Sequence, residues 1–328
     1  MEIIRGVHNI KSRHRGCVAT MGNFDGVHLG HQAILQQVIA RSRQMGAPSM
    51  LICFEPQPKE FFDTYNAPAR LTRFREKVEL LAELGVDLVL CLKFDEATRS
   101  MSAQSFIDLL VNDLQLKALF AGDDARFGND RSGDFEMLLA EGEKHGFEVT
   151  NLYTLTVDAE RVSSTRIREC LANGDFEMAE QLLGRPYSIT GKVVYGRQLG
   201  RTLDAPTANI QLHRDRAPID GVYAVEIEGL NAVHTGVANV GVRPTLNEAT
   251  LKPILEVHIF DFGRTIYGKT VKVIFRAKIR EEKKFDGLEA LKDAIRSDML
   301  VARAFFKRTS TPASLQSKSG KPDKVDGP

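Results

Sequence analysis

The chain has 328 residues, 43% hydrophobic and 27% charged, which is enough for two domains with separate cores. A net charge of +1 gives no reason to expect nucleic acid or an anionic membrane as a partner, and no apolar run reaches the roughly 18 residues of a membrane span. The N-terminus has no apolar signal segment, and Cys17, Cys53, Cys91 and Cys170 form no CxxC pair, so buried reduced thiols in a cytoplasmic protein are expected.

Residues 17–21 make an apolar run of strand length, and Ala33, Ile34, Leu35, Val38 and Ile39 recur at helical spacing over 29–45. Between them lies Gly22-Asn23-Phe24-Asp25-Gly26-Val27-His28-Leu29-Gly30-His31. The spacing puts His28 and His31 on one face of the first helical turn, beside free backbone N–H groups and the positive end of the dipole. Such a helix start attracts a phosphate, Gly30 lets it come close, and the imidazoles donate hydrogen bonds. The motif holds no Ser, Cys or Lys nucleophile. It suits nucleotidyl transfer, in which the substrate itself attacks the α-phosphate while the protein positions reactants and stabilises charge. His28 and His31 are the candidate catalytic pair, and Asn23 and Gly30 are candidate phosphate-binding residues. A plain helix cap is the structural alternative, and the strand–loop–helix context weighs against it.

Further strands are expected over 49–54, 86–92, 117–121 and 147–155. Helices are expected over 72–84 with Thr72 as N-cap, 102–114 with Ser102 as N-cap, and 134–145. This βαβα alternation predicts an α/β domain with a doubly wound parallel sheet, whose ligands bind at the C-terminal ends of the strands. Phe54-Glu-Pro-Gln-Pro58 follows one strand; Pro56 and Pro58 stiffen the turn, which is either just a rigid loop or, with Phe54 as an aromatic face, a wall for a planar ligand. Gly122-Asp-Asp-Ala-Arg-Phe-Gly128 follows another and suits a binding loop, with Asp124 and Phe127 as candidates. Val162-Ser-Ser-Thr-Arg-Ile-Arg168 opens a helix with Ser163 or Ser164 as N-cap. The hydroxyls of Ser164 and Thr165 and the fork of Arg168 suit a triphosphate tail; a capped helix with solvated arginines is the alternative.

After Gly184-Arg-Pro186 the pattern changes to short strands over 187–195, 222–228, 232–239, 254–260 and 271–277, followed by a helix over 287–306. An antiparallel β-barrel or sandwich closed by a C-terminal helix is expected. The domains are therefore placed at 1–185 and 186–308, with 309–328 as a disordered tail. Gly196, Gly200 and Arg201 belong to a glycine-punctuated loop suited to phosphate. Thr207 and Asn209, two apart in an extended segment, face the same way and offer hard oxygen donors fit for Mg²⁺, with an Asx-type turn after Pro206 as the alternative that the residues alone favour. Leu255, Val257 and Ile259 share one strand face and Glu256 and His258 the other; Glu256 is either a solvated edge-strand glutamate or a carboxylate aimed into a site, where it can take the proton of an attacking hydroxyl. Gly263-Arg-Thr-Ile-Tyr-Gly-Lys-Thr270 satisfies the P-loop pattern, but strand-like residues follow it, so it is expected to be a hairpin turn with a replaceable Lys269.

Taken together, these segments resemble the bacterial bifunctional riboflavin kinase/FMN adenylyltransferases: GNFDGVHLGH, FEPQP, GDDARFG and SSTRIR in the first half, then PTAN, GVANVGVRPT, LEVH and KKF in the second. The resemblance covers nearly everything except the tail. It implies that the first domain converts FMN and ATP to FAD and pyrophosphate, and that the second phosphorylates riboflavin to FMN. It also implies that Thr207 and Asn209 hold Mg²⁺, that Glu256 is the catalytic base for the ribityl 5′-hydroxyl, and that Arg280 and Phe285 border the flavin.

Two departures stand out. Asp204-Ala205 replaces the Gly-Phe usual before PTAN, and Ala125 replaces a usual Phe, changes that bear on binding strength. Two other functions fit the same residues. One is nucleotidyl transfer to another phosphorylated acceptor, because the HxGH and SSTRIR motifs handle only the nucleotide phosphates. The other is a flavin-binding module whose kinase site has decayed. The partners expected are small-molecule flavin and ATP, and no motif specifies an oligomeric state.

Overall fold

The first half of the chain lays down six strands: β1 (Glu2–Arg5), β2 (Val18–Met21), β3 (Ser49–Glu55), β4 (Leu88–Lys93), β5 (Ala118–Ala121) and β6 (Glu148–Asn151). Helices α1 (Leu29–Gln44), α2 (Pro58–Phe62), α3 (Phe74–Glu83), α4 (Glu96–Arg99), α5 (Ala103–Asp108) and α6 (Phe135–His145) fall between them. In this computed structural model residues 1–152, 156–157, 160–195, 207–245 and 248–309 are described, with the backbone alone over 242–245 and 248–252.

The strands form one sheet in the order β1-β4-β3-β2-β5-β6, with every neighbouring pair parallel. Both faces are covered, so the strands read as nearly continuous apolar runs. Met50 and Ile52 of β3 pack with Phe106 and Ile107 of α5 and Leu138 of α6, whereas Leu51 and Cys53 pack with Leu35 and Ile39 of α1 and Leu81 of α3. The four cysteines are free, with Cys17, Cys53 and Cys91 buried as expected.

The structure corrects the expected helix over 72–84. It begins at Phe74, Arg73 takes the N-cap position, and the Glu76 carboxylate accepts from Arg73 N at 2.6 Å. Thr72 is pulled out of the helix because its N–H and hydroxyl both bond to Asp25. Ser102 does cap α5, which passes into a single π-helical stretch over Leu109–Asp113 instead of continuing as α-helix. Edge strand β1 went unread because it is four residues long with only Ile4 buried.

A small hairpin, β7 (Thr156–Val157) with β8 (Glu160–Arg161), leads to α7 (Ser164–Ala172) and α8 (Phe176–Leu183). There follow β9 (Ser188–Val194), β10 (Ala208–Gln211), β11 (Gly221–Glu228), β12 (His234–Thr245), β13 (Glu248–Ile259), β14 (Thr270–Arg280) and helix α9 (Leu288–Thr309). These strands close into a barrel in the order β10-β13-β12-β11-β14-β9, which decides between the barrel and the sandwich. Ala302 of α9, with Met299, Phe305 and Phe306, packs on Val222, Ala224 and Val237.

The chain divides into two compact units. One comprises Met1–Thr190, Leu212–Ile219 and Val242–Pro253; the other comprises Gly191–Gln211, Asp220–Gly241 and the chain from Ile254. Residues 310–328 of the expected tail lie outside the described residues.

Candidate active sites

From β2 the sheet grows through β3 to β4, after which the chain returns to set β5 on the other flank of β2. Strand order reverses there, and the crevice beyond the carboxyl ends at such a switch point is where doubly wound sheets bind ligands. The two loops that leave β2 and β5 are the histidine loop after Met21 and the Gly122-Asp-Asp loop after Ala121.

His28 is the N-cap of α1, and its Nδ1 accepts from His31 N at 3.3 Å. One of the free N–H groups expected at this helix start is therefore taken by the motif itself. The rings of His28 and His31 stack with centroids 3.6 Å apart, and Phe24 also stacks on His31, at 4.5 Å. Gly30 serves this stack, since a Cβ there would stand 3.2 Å from the His28 ring. Burial lowers the His28 pKa to about 4, helped by Arg185, Arg161 and Arg168 and opposed by Asp25. His31 is lowered as well, by burial first and then by His28, Lys77 and Arg161. Both rings are thus neutral near pH 7. A neutral His28 that accepts at Nδ1 carries its proton on Nε2, where it is a donor.

Asp25 organises this site, although nothing in the sequence singles it out within the motif. It is 3% exposed and accepts from Leu71 N, Thr72 N and Thr72 Oγ1 at 3.0, 3.0 and 3.2 Å. Arg168 Nη2 closes the set at 2.5 Å while its Nε donates to Ala69 O. Arg168 is therefore an anchor between α7 and the histidine loop. Ser164 Oγ donates to Asp25 O at 2.9 Å, Ser163 is the N-cap of α7, and Thr165 is exposed in its first turn. Arg185 donates to Gly26 O and Val27 O, and Lys77 Nζ to Asn23 O at 2.8 Å. Arg185 and Lys77 were also missed. The signal for Lys77 was legible: with Phe74 and Leu81 it occupies i, i+3 and i+7 on a face that should be apolar.

The flavin candidates of the first domain divide. Phe54 meets Phe94 edge-on at 5.6 Å, and Phe61 and Phe62 gather around the same ring. Pro56 follows Glu55, which pairs with Arg70, and Pro58 opens α2. Phe127 leans on Phe106 at 5.2 Å, and its backbone bridges to Gly133. Ala125 packs against the same core, and Asp124 is exposed, 3.9 Å from Arg161.

On the barrel, Asn209 of β10 is directly paired with Glu256 of β13, and both are half-buried; Thr207, also half-buried, immediately precedes β10. Leu255 and Val257 point to the core on either side of Glu256. Arg280 is held by Asp298 of α9 at 2.7 Å and lies 5.4 Å from the Phe285 ring centroid. Gly196, Gly200 and Arg201, and the departure at Asp204-Ala205, lie outside the described residues. The P-loop-like stretch leads into strand β14 instead of a helix, as expected. It is not a hairpin turn, though, because β13 and β14 are not neighbours in the barrel.

Residues 10–166 match the family profile described as FAD synthetase, and residues 183–306 match that described as riboflavin kinase. A bifunctional riboflavin kinase/FMN adenylyltransferase of Escherichia coli (strain K12) is 49% identical over 312 residues, covering 94% of this chain and 99% of that protein. One of the same name from Pseudomonas fluorescens is 50% identical over 305 residues, covering 93% and 97%. Among solved structures, one titled as a macrolide-efflux protein from Streptococcus pneumoniae is similar with a TM-score of 0.77 and 31% identity, covering 92% of this chain and 99% of that one. No described helix of the present chain is long and apolar enough to cross a membrane. With both profiles matched in order and about half of the aligned positions shared with relatives covered nearly end to end, the chain belongs to the bifunctional riboflavin kinase/FMN adenylyltransferase family.

Proposed function

We propose that this chain makes FMN and then FAD: the barrel domain transfers the γ-phosphoryl group of ATP to riboflavin, and the sheet domain transfers the adenylyl group of a second ATP to FMN. The observation that carries this reading is that both family profiles are matched in sequence along a chain spanning 99% of its Escherichia coli relative.

In adenylyl transfer, a phosphate oxygen of FMN attacks the α-phosphorus and the bond to the bridging oxygen of pyrophosphate breaks. The neutral His28 and His31 donate to the oxygens that gain charge, supported by their stacking at the start of α1. Asn23 and Gly30 bound the phosphate path, and Ser164 and Thr165 bring the N-terminal end of α7 to it. Arg168 acts through Asp25 by holding the histidine loop in place. Phe54, Pro56, Pro58, Asp124 and Phe127 receive the flavin, Phe54 with an aromatic face.

In the kinase, the ribityl 5′-hydroxyl attacks the γ-phosphorus, ADP leaves, and Glu256 takes the hydroxyl proton. Thr207 and Asn209 offer a hydroxyl and an amide oxygen, a donor set that fits Mg²⁺, and Asn209 is the cross-strand partner of Glu256. When bound, the ion supplies neutralisation of the ATP phosphate charge. Gly196, Gly200 and Arg201 are assigned to the nucleotide, and Arg280 with Phe285 to the flavin ring. Free cysteines and small-molecule substrates support work in the cytoplasm.

The test is chromatography of riboflavin incubated with ATP, Mg²⁺ and the purified chain. FMN followed by FAD is expected. FAD only when FMN is supplied would favour the reading in which Asp204-Ala205 has silenced the kinase, and neither product would overturn both activities.

A further inference from the structure

Lys77 is a fully buried lysine in the first turns of α3. Its Nζ donates to Asn23 O at 2.8 Å and lies 6.0 Å from the Phe74 ring centroid. Among the described residues no carboxylate oxygen comes within 4.0 Å of it. An ammonium has three donors, and withdrawing one from water without a carboxylate partner carries a desolvation cost. A methionine or leucine at this point of the apolar face would avoid that cost, so the charge calls for a reason.

The reason lies in what Lys77 holds. Asn23 sits in the loop between β2 and α1, where Phe24 and Val27 adopt φ of +47° and +40° and no regular ladder runs. The carbonyl fixed by Lys77 belongs to the peptide that leads into Phe24, whose ring backs His31, which in turn backs His28. The charge also bears on His31, which is faced by Lys77 from α3, Arg161 from β8 and His28 from its own helix start. His28 is faced by Asp25, Arg185, Arg161 and Arg168.

We propose that Lys77 is a positioning residue of adenylyl transfer: it pins the Asn23 carbonyl, and through it the Phe24–His31–His28 stack, and sets a fixed positive charge beside the histidines that meet the nucleotide phosphates. The proposal rests on the adenylyltransferase reading of the first domain.

The test uses the full chain with K77M and K77Q. Three quantities are read: FMN formation from riboflavin, FAD formation from supplied FMN, and the His31 titration midpoint by NMR. In K77M, FMN formation stays within about twofold, since the kinase lies in the other unit. FAD formation falls on the order of 10²-fold through kcat. The His31 midpoint rises, because a nearby positive charge that disfavours protonation is gone. K77Q keeps a donor for the Asn23 carbonyl without the charge; it raises the same midpoint and retains more of the FAD-forming rate. It also serves as the variant to read if K77M fails to fold.

A folded K77M or K77Q with unchanged FAD formation and an unchanged His31 midpoint overturns the proposal. So does a loss of FAD formation with the midpoint unmoved, since that is a packing defect alone. Failure of the unsubstituted chain to adenylylate FMN counts against the adenylyltransferase reading instead, and the midpoint still tests the influence of Lys77 on His31.

Discussion

Asn209 stands directly across the antiparallel β10–β13 pair from Glu256, so an amide oxygen and a carboxylate share one side of the barrel wall. In an antiparallel pair such partners have Cβ atoms about 5 Å apart, close enough to serve the same phosphoryl group. Glu256→Gln keeps the shape and the strand register while removing the base. FMN formation is expected to fall by about 10²- to 10⁴-fold, with FAD formation from supplied FMN intact. Assaying the two steps separately on the same preparation checks this. Equal loss of both in a folded variant would sink the two-site account.

The Asp25–Arg168 pair joins the histidine loop, the segment around Leu71 and Thr72, and α7 through a single buried carboxylate. Asp25→Ala leaves a guanidinium and two backbone N–H groups without their acceptor. It is expected to destabilise the first unit by about 3–5 kcal/mol and to abolish FAD formation. Denaturant melts with FMN production as the internal control measure it. A loss below about 1 kcal/mol would mean that the pair is not structural.

His28 links stability to pH. Its pKa is about 4 in the folded chain against the ordinary 6.5, so between those values the unfolded chain binds the proton and the folded chain does not. The stability it contributes is complete above pH 6.5 and is lost as the pH falls towards 4, about 3 kcal/mol in all. His28→Asn keeps an N-cap acceptor and removes the titration. Its stability profile over that range should be flatter than that of the unsubstituted chain. Parallel profiles would show that the imidazole is not buried neutral.

Lys269→Ala should change neither activity and should alter stability by no more than about 0.5 kcal/mol. The residue is exposed, and what the fold uses at this position is its carbonyl, which accepts from Val193 N. A loss of FMN formation on this substitution would reinstate the P-loop reading.

Periodicity and punctuation made much of this fold legible. Strands buried on both faces leave apolar runs, as at 49–54 and 86–92, and amphipathic helices leave the spacing seen over 29–45. Among the features that the sequence did not show, β1 and β10 are too short to display a period, and others were decided by distant partners. Thr72 is the clearest case. Its residue type predicts a cap, but two bonds to Asp25, 47 residues away, outweigh one local capping bond worth about 1 kcal/mol.

The candidate sites follow the same division. By itself the sequence determined the order of the two domains, the residue types at each site, and the histidine spacing that places both rings on one helical turn. Only the tertiary structure decided that His28 is itself the helix cap, that Arg168 is bound to Asp25, that Lys77 reaches the Asn23 carbonyl, and that Asn209 faces Glu256. Helical and strand periods are short-range properties carried by neighbouring residues. The partner of a buried charge is chosen by whatever the fold brings within hydrogen-bonding distance, and no local pattern records that choice.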